Sequence, residues 1–135
     1  MPMIVALHHV QLAMPPDREL EARRFYCDVL GMTERAKPEN LAKRGGAWFT
    51  SGSAEIHLGV EADFRPAKKA HPALVVSDLD TLRQRCLEAG VDVKPGEALA
   101  GYDRAYVTDP FGNRIELLQP AEAPASGAPH LLGQP

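Results

Sequence analysis

Apolar residues recur at two spacings along this chain, and the spacings alternate in an order that runs through twice. Val5, Leu7, Val10 and Leu12 predict a strand over about residues 4–13. Pro15-Pro16-Asp17 ends it, and Asp17 is the expected N-cap of a helix. In that helix Ala22, Phe25, Tyr26, Val29 and Leu30 form one apolar stripe, and Gly31 stands where a C′ glycine belongs. A short strand around Met32–Ala36 follows, then a polar loop over 37–46. Ala47–Thr50 and Glu55–Val60 predict a hairpin about Ser51-Gly52-Ser53-Ala54. Residues 61–70 read as a linker.

The same order then returns. His71–Val76 predicts a strand, and Ser77-Asp78-Leu79-Asp80 resembles a capping box with Asp in place of Glu. Leu79, Leu82, Cys86 and Ala89 make the second helical stripe, which Gly90 ends. Val91–Val93 is a short strand and 94–101 a loop. Tyr102–Thr108 and Arg114–Leu118 predict the second hairpin, across a turn opened by Asp109-Pro110 and closed by Gly112-Asn113. Residues 120–135 are rich in Pro and Ala and read as a disordered tail.

Both halves therefore read β-α-β-β-β, and the fold class expected is α+β. The predicted organisation is a single domain over 1–119, with module one at about 4–60 and module two at about 71–119. The repeat also pairs the unusual polar residues. Gly90 follows Gly31 by 59 positions (90 − 31), and Glu116 follows His57 by the same interval (116 − 57). His71 follows His9 by 62 (71 − 9). His9 and His71 belong to the first strand of their halves, and His57 and Glu116 to the last. An unpaired carboxylate in an apolar strand is costly, so Glu116 calls for a cation, a proton or a solvated cavity. Strand parity puts Gln11 on the face of His9, and places Trp48 opposite His57 and Tyr106 opposite Glu116 with Arg104 and Tyr102 on that face.

Composition narrows the partners. The 135 residues carry a net charge of −3 with no basic tract, which argues against nucleic acid or an anionic membrane as partner. No apolar run is long enough to span a bilayer and no signal peptide is visible, so the expected location is cytoplasmic. Cys27 and Cys86 both fall in predicted helices and read as reduced thiols.

The ordered set His9-Val10-Gln11-Leu12, Ile56-His57-Leu58, His71-Pro72-Ala73-Leu74-Val75-Val76 and Asp109-Pro110-Phe111-Gly112-Asn113-Arg114-Ile115-Glu116-Leu117 resembles the vicinal oxygen chelate superfamily. That superfamily includes glyoxalase I, fosfomycin-resistance thiol transferases, methylmalonyl-CoA epimerase, extradiol dioxygenases and bleomycin-resistance proteins. The resemblance covers about residues 4–119, and its last motif is the most specific. It implies two pseudo-symmetric βαβββ modules forming an open, partly closed mixed sheet around a cavity, often in a homodimer. It also implies a metal held by His9, His57, His71 and Glu116.

Three imidazoles and one carboxylate suit one divalent ion per chain, drawn from Zn, Ni, Co, Fe or Mn. The function this implies is a glyoxalase-like lyase or isomerase. It would chelate two adjacent oxygens of a small substrate and stabilise an enolate-like intermediate, with Glu116 as the candidate catalytic base. Trp48, Tyr106, Arg104 and Gln11 are the candidates for binding substrate, and Lys37 and Arg44 for meeting an anionic group. Two other readings stand beside this one. A non-haem iron dioxygenase would use His9, His71 and Glu116 alone. A drug-sequestering protein would bind a small molecule with no metal.

Overall fold

The computed structural model describes residues 1–121, and the stretch expected to be a tail lies almost wholly outside them. The chain divides into two compact units: Met1–Lys68 with the Asp109–Asn113 turn, and Lys69–Thr108 with the residues from Arg114 onward. Each carries a four-stranded mixed sheet, so the α+β class and the repeated β-α-β-β-β order both hold. No helix of the described residues is long and apolar enough to cross a membrane.

In the first unit the strands are β1 (Val10–Met14), β2 (Thr33–Arg35), β3 (Ala47–Ser51) and β4 (Ala54–Val60), in the order β1-β4-β3-β2. β1 runs parallel to β4, and the other pairs are antiparallel. The alternation of the strands sorts their side chains. Met14, Ala47, Phe49, Ile56 and Leu58 are buried on one face, together with Ala22, Phe25 and Tyr26. Within that core the Tyr26 ring stacks on Phe49 at 5.1 Å and meets the edge of Phe25 at 4.8 Å. Gln11, Trp48, Glu55, His57 and Gly59 point to the other face, as the observed register requires.

Three details of this unit differ from the sequence expectation. First, β1 begins at Val10, not near residue 4. Val10 pairs with Ile56, two residues past the start of β4, so only His8 and His9 could be level with that strand and the residues before them have no partner on it. Second, Asp17 is not the N-cap. It takes φ 64°, and Arg18 holds the cap position without capping the helix backbone, its guanidinium donating to the Glu21 carboxylate instead. Third, the helix α1 (Glu19–Arg23) widens into a π-helix over Arg24–Val29, marked by the Leu30 N–H bonding the Phe25 carbonyl. Phe25 and Tyr26, neighbours in this wider turn, are both buried. Gly31, at φ 79°, ends this helix as expected. The loop over 37–46 also contains one short helix, α2 (Glu39–Ala42).

In the second unit the strands are β5 (Ala73–Val75), β6 (Val93–Pro95), β7 (Tyr102–Thr108) and β8 (Arg114–Pro120), in the order β5-β8-β7-β6. β5 is parallel to β8, matching the first sheet. Ala105, Val107, Ile115 and Leu117 are buried, as are Leu79 and Cys86 of helix α3 (Leu79–Glu88). Ala89, expected in the helical stripe, is exposed. Cys27 and Cys86 are both free thiols, as expected.

The α3 cap falls one residue later than the sequence suggested. Asp78 is the N-cap, accepting from the Thr81 backbone N–H at 3.0 Å and from the Thr81 hydroxyl at 2.7 Å. Those hydrogen bonds hold its carboxyl below the ordinary aspartate value. A lowered folded pKa contributes stability that is complete above the unfolded value of about 3.9 and is lost as pH falls through the folded value. Asp78→Ala is therefore expected to lower the melting temperature at neutral pH, and the deficit should shrink in acid below about pH 3.5. Melting curves of both proteins across that range check it.

Candidate functional site

The open face of the first sheet carries a stack of rings. Trp48 and His57 are register partners on β3 and β4, and their rings lie 4.0 Å apart at an angle of 5°. The His9 ring covers the other face of His57 at 4.0 Å and 17°. His8 adjoins the stack edge-on, with its Nδ1 2.9 Å from the His9 Nδ1. His57 Nε2 lies 2.6 Å from Glu55 Oε2, and the Arg35 guanidinium donates to the same oxygen at 2.9 Å. Burial lowers the His57 pKa, a shift the Glu55 hydrogen bond opposes and the neighbouring His9 reinforces. The ring is therefore neutral at pH 7.

Glu55 and Arg35 did not stand out in the sequence. The signal that finds them is parity, because Glu55 lies two residues before His57 on the same face. Gln11 is the parallel register partner of His57, and its side chain lies over Gly59. A Cβ at Gly59 would sit 2.6 Å from the Gln11 amide nitrogen, so only glycine leaves that amide its place.

The second unit holds the other two predicted ligands in contact. His71 Nε2 is 2.9 Å from Glu116 Oε1, and the opposite His71 nitrogen faces the Lys69 carbonyl at 2.8 Å. Arg104 Nε donates to Glu116 Oε2 at 2.8 Å, so both carboxylate oxygens are engaged. Burial works against the charged form of Glu116, but the His71 and Arg104 hydrogen bonds outweigh it and hold its pKa below the ordinary value. Tyr106 pairs with Glu116 across the hairpin and its hydroxyl accepts from Arg104 at 2.6 Å. Arg114 caps the Tyr106 ring at 4.0 Å.

The four predicted ligands thus form two contacting pairs, His9 with His57 and His71 with Glu116. Among the described residues, no three His, Cys, Asp or Glu side chains are grouped to hold a metal ion. Trp48, Gln11, Tyr106 and Arg104 each lie beside one of the pairs.

The Asp109 turn is built for structure. Its carboxylate is buried and accepts from the Phe111 and Asn113 backbone N–H groups at 2.9 and 2.8 Å. The Tyr26 hydroxyl and the Asn113 amide also donate to it, at 2.8 and 2.9 Å. The same Asn113 amide donates to the Ala13 carbonyl at 2.8 Å. Burial raises the Asp109 pKa against the pull of these donors.

Comparison with known proteins agrees with this architecture. The Glyoxalase family model, described as the Glyoxalase/Bleomycin resistance protein/Dioxygenase superfamily, matches residues 6–117. A glyoxalase family protein from Bacillus anthracis, known from its crystal structure, is 47% identical. It aligns over 90% of this chain and 99% of its own, with a TM-score of 0.85. The genomically encoded fosfomycin resistance protein FosX of Listeria monocytogenes is 17% identical over 88% of this chain and 94% of its own, at a TM-score of 0.72. TnmS3, an antibiotic binding protein from a Streptomyces species, is 22% identical over 90% of this chain and 100% of its own, at 0.67. These last two likenesses show the fold alone. No functionally curated protein matches the chain. The chain belongs to the glyoxalase/bleomycin resistance protein/dioxygenase superfamily.

Proposed function

We propose that this superfamily member is a metal-dependent, glyoxalase-like enzyme, a lyase or isomerase that chelates two adjacent oxygens of a small substrate. His9, His57, His71 and Glu116 would hold one divalent ion. The observation that carries this reading is that the donors sit as contacting pairs, with His57 and Glu116 in the states a metal needs. His57 is a neutral imidazole, and Glu116 an ionised carboxylate with a depressed pKa. Imidazole and carboxylate donors fit Zn, Ni, Co, Fe or Mn. When bound, such an ion supplies Lewis-acid charge at the substrate oxygens. The chain's own residues do the rest. Arg104 orients Glu116 through one oxygen, Trp48 fixes the His57 plane, and Gln11 and Tyr106 offer hydrogen-bonding groups to substrate. Glu116 is the candidate to take up the substrate proton.

One observation favours a second reading, a small-molecule-binding protein without a metal. Arg104 already pairs with Glu116 and His71 already contacts its other oxygen, and Glu55 already engages His57. Metal analysis separates the two. Protein purified without chelator or metal-affinity resin is expected to hold one divalent ion per chain. A folded, ion-free protein that accepts no added metal would establish the second reading.

We also propose that the working form is a cytoplasmic homodimer of single-domain chains. Met3, Ile4, Val5 and Leu7 precede β1 and are each at least 79% exposed, an apolar arm without a strand partner. Exposed apolar segments and open edges of this kind mark interfaces in soluble proteins. Sedimentation equilibrium at micromolar concentration should return the dimer mass, and truncation of residues 1–7 should shift it toward monomer. A monomer at all concentrations would dismiss the dimer.

A further inference from the structure

A cavity of about 230 Å³ opens on the first unit beside the ring stack, under the connection between β2 and β3. Gln11, Trp48 and Gly59 supply its sheet side, and Lys37, Arg44 and Gly45 its loop side. Gln11 and Trp48 are the two register partners of His57, and Gly59 lies two residues beyond it on β4. The cavity is therefore one side-chain step along the strand from His57, roughly 7 Å.

The loop side is held in place by specific contacts. Gly45 and Gly46 take φ 74° and 81°, which favours glycine, and a Cβ at Gly46 would overlap the Leu58 carbonyl oxygen at 2.0 Å. The Gly46 N–H is anchored by Glu19 at 2.9 Å, and the Lys37 ammonium donates to the Gly45 carbonyl. That bond uses one of three ammonium donors and no negative charge. The Arg44 guanidinium has no carboxylate partner among the described residues, and no Asp or Glu lines the cavity. In a chain of net charge −3, two cations line this cavity, and the nearest carboxylate on the loop side, Glu19, is engaged by the Gly46 N–H behind the loop and is not part of the lining.

We propose that this cavity is an anion subsite, which seats a small oxyanion of the substrate, a carboxylate, phosphonate or phosphate, between Arg44 and Lys37. The planar guanidinium matches two oxygens of such a group, the ammonium adds a point charge, and the Gln11 amide offers an uncharged donor. Trp48 forms one wall, so the group next to the anion packs against an aromatic face. The substrate class is thereby a small molecule that carries an oxyanion. Its role as a substrate subsite rests on the enzyme reading above, whereas binding of the anion does not.

Trp48 is the chain's only tryptophan, so its emission reports on this wall and on the His57 ring stacked against it, and the Arg44 and Lys37 variants tell the two apart. Metal-free protein at fixed pH and ionic strength is titrated with inorganic phosphate, and separately with acetate, against a chloride control. A saturable change in emission is expected, and the tighter of the two probes assigns the oxyanion as tetrahedral or planar. Arg44→Gln and Lys37→Gln should each weaken that binding about tenfold, while Lys43→Gln, which alters a neighbouring exposed charge outside the cavity, leaves it unchanged. Arg44 is itself exposed, so its variant folds and the comparison stands. No saturable response to either probe, or an equal response in the Arg44 and Lys37 variants, would overturn the subsite. Because the titration is made without metal, its failure is distinct from a failure to find metal.

Discussion

Asp109→Ala is expected to destabilise the protein by about 3 kcal/mol or more, lowering its melting temperature by roughly 10 °C. The carboxylate gathers four donors in a buried turn: two backbone N–H groups, the Tyr26 hydroxyl and the Asn113 amide. Alanine leaves them unpaired, and each orphaned buried donor costs about 1–3 kcal/mol where water cannot replace the acceptor. Asp109→Asn should lose less. Its remaining oxygen still serves the two backbone groups, but its new NH₂ meets the Asn113 amide donor to donor. Tyr26→Phe should cost about 1 kcal/mol, the worth of one hydrogen bond. Chemical denaturation of the three variants orders them. If Asp109→Ala unfolds at the wild-type midpoint, the carboxylate does not organise this turn.

Glu116→Ala and His9→Ala are each expected to lose most of the metal, and His57→Ala to weaken it roughly tenfold or more, by comparison with losses seen even for residues behind the ligands. His57 also separates the chemistries open to this superfamily. A lyase or isomerase site uses it as a fourth protein ligand. A facial-triad iron dioxygenase needs only His9, His71 and Glu116, and must keep positions open for dioxygen and substrate. His57 Nε2 faces Glu55 at 2.6 Å, so Glu55 is the partner that ligation at this nitrogen must displace. Glu55→Gln weakens that competition and should tighten metal binding if His57 is a ligand. Isothermal titration with Zn or Ni reads all four variants. Unchanged affinity in His57→Ala, together with oxygen consumption by the iron form on a catechol-like substrate, would replace the lyase or isomerase reading with the dioxygenase one.

Much of this was legible in the amino-acid order. Period-two runs broken by Gly-Ser and by Asp-Pro-Phe-Gly-Asn set both hairpins, and the registers Trp48–His57 and Tyr106–Glu116 follow from parity and turn length alone. The repeat of helix, turn and strand gave the α+β class, because each half must bury the same kind of face. Other features are properties of neighbours distant in sequence. The position of β1 follows from its parallel pairing with β4, which begins only two residues before Ile56, the partner of Val10. The π-helical turns answer to the packing of Phe25 and Tyr26, not to helix propensity. Asp109 reads locally as a turn former, yet 83 residues separate it from the Tyr26 hydroxyl that makes it a buried acceptor. Strand parity in the sequence puts Glu55 on the face of His57 and Arg104 on the face of Glu116, but it does not bring either pair into contact. Only the tertiary structure aims Glu55 at His57 and Arg104 at Glu116, because a side chain's charge is local while the groups that tune it arrive by folding.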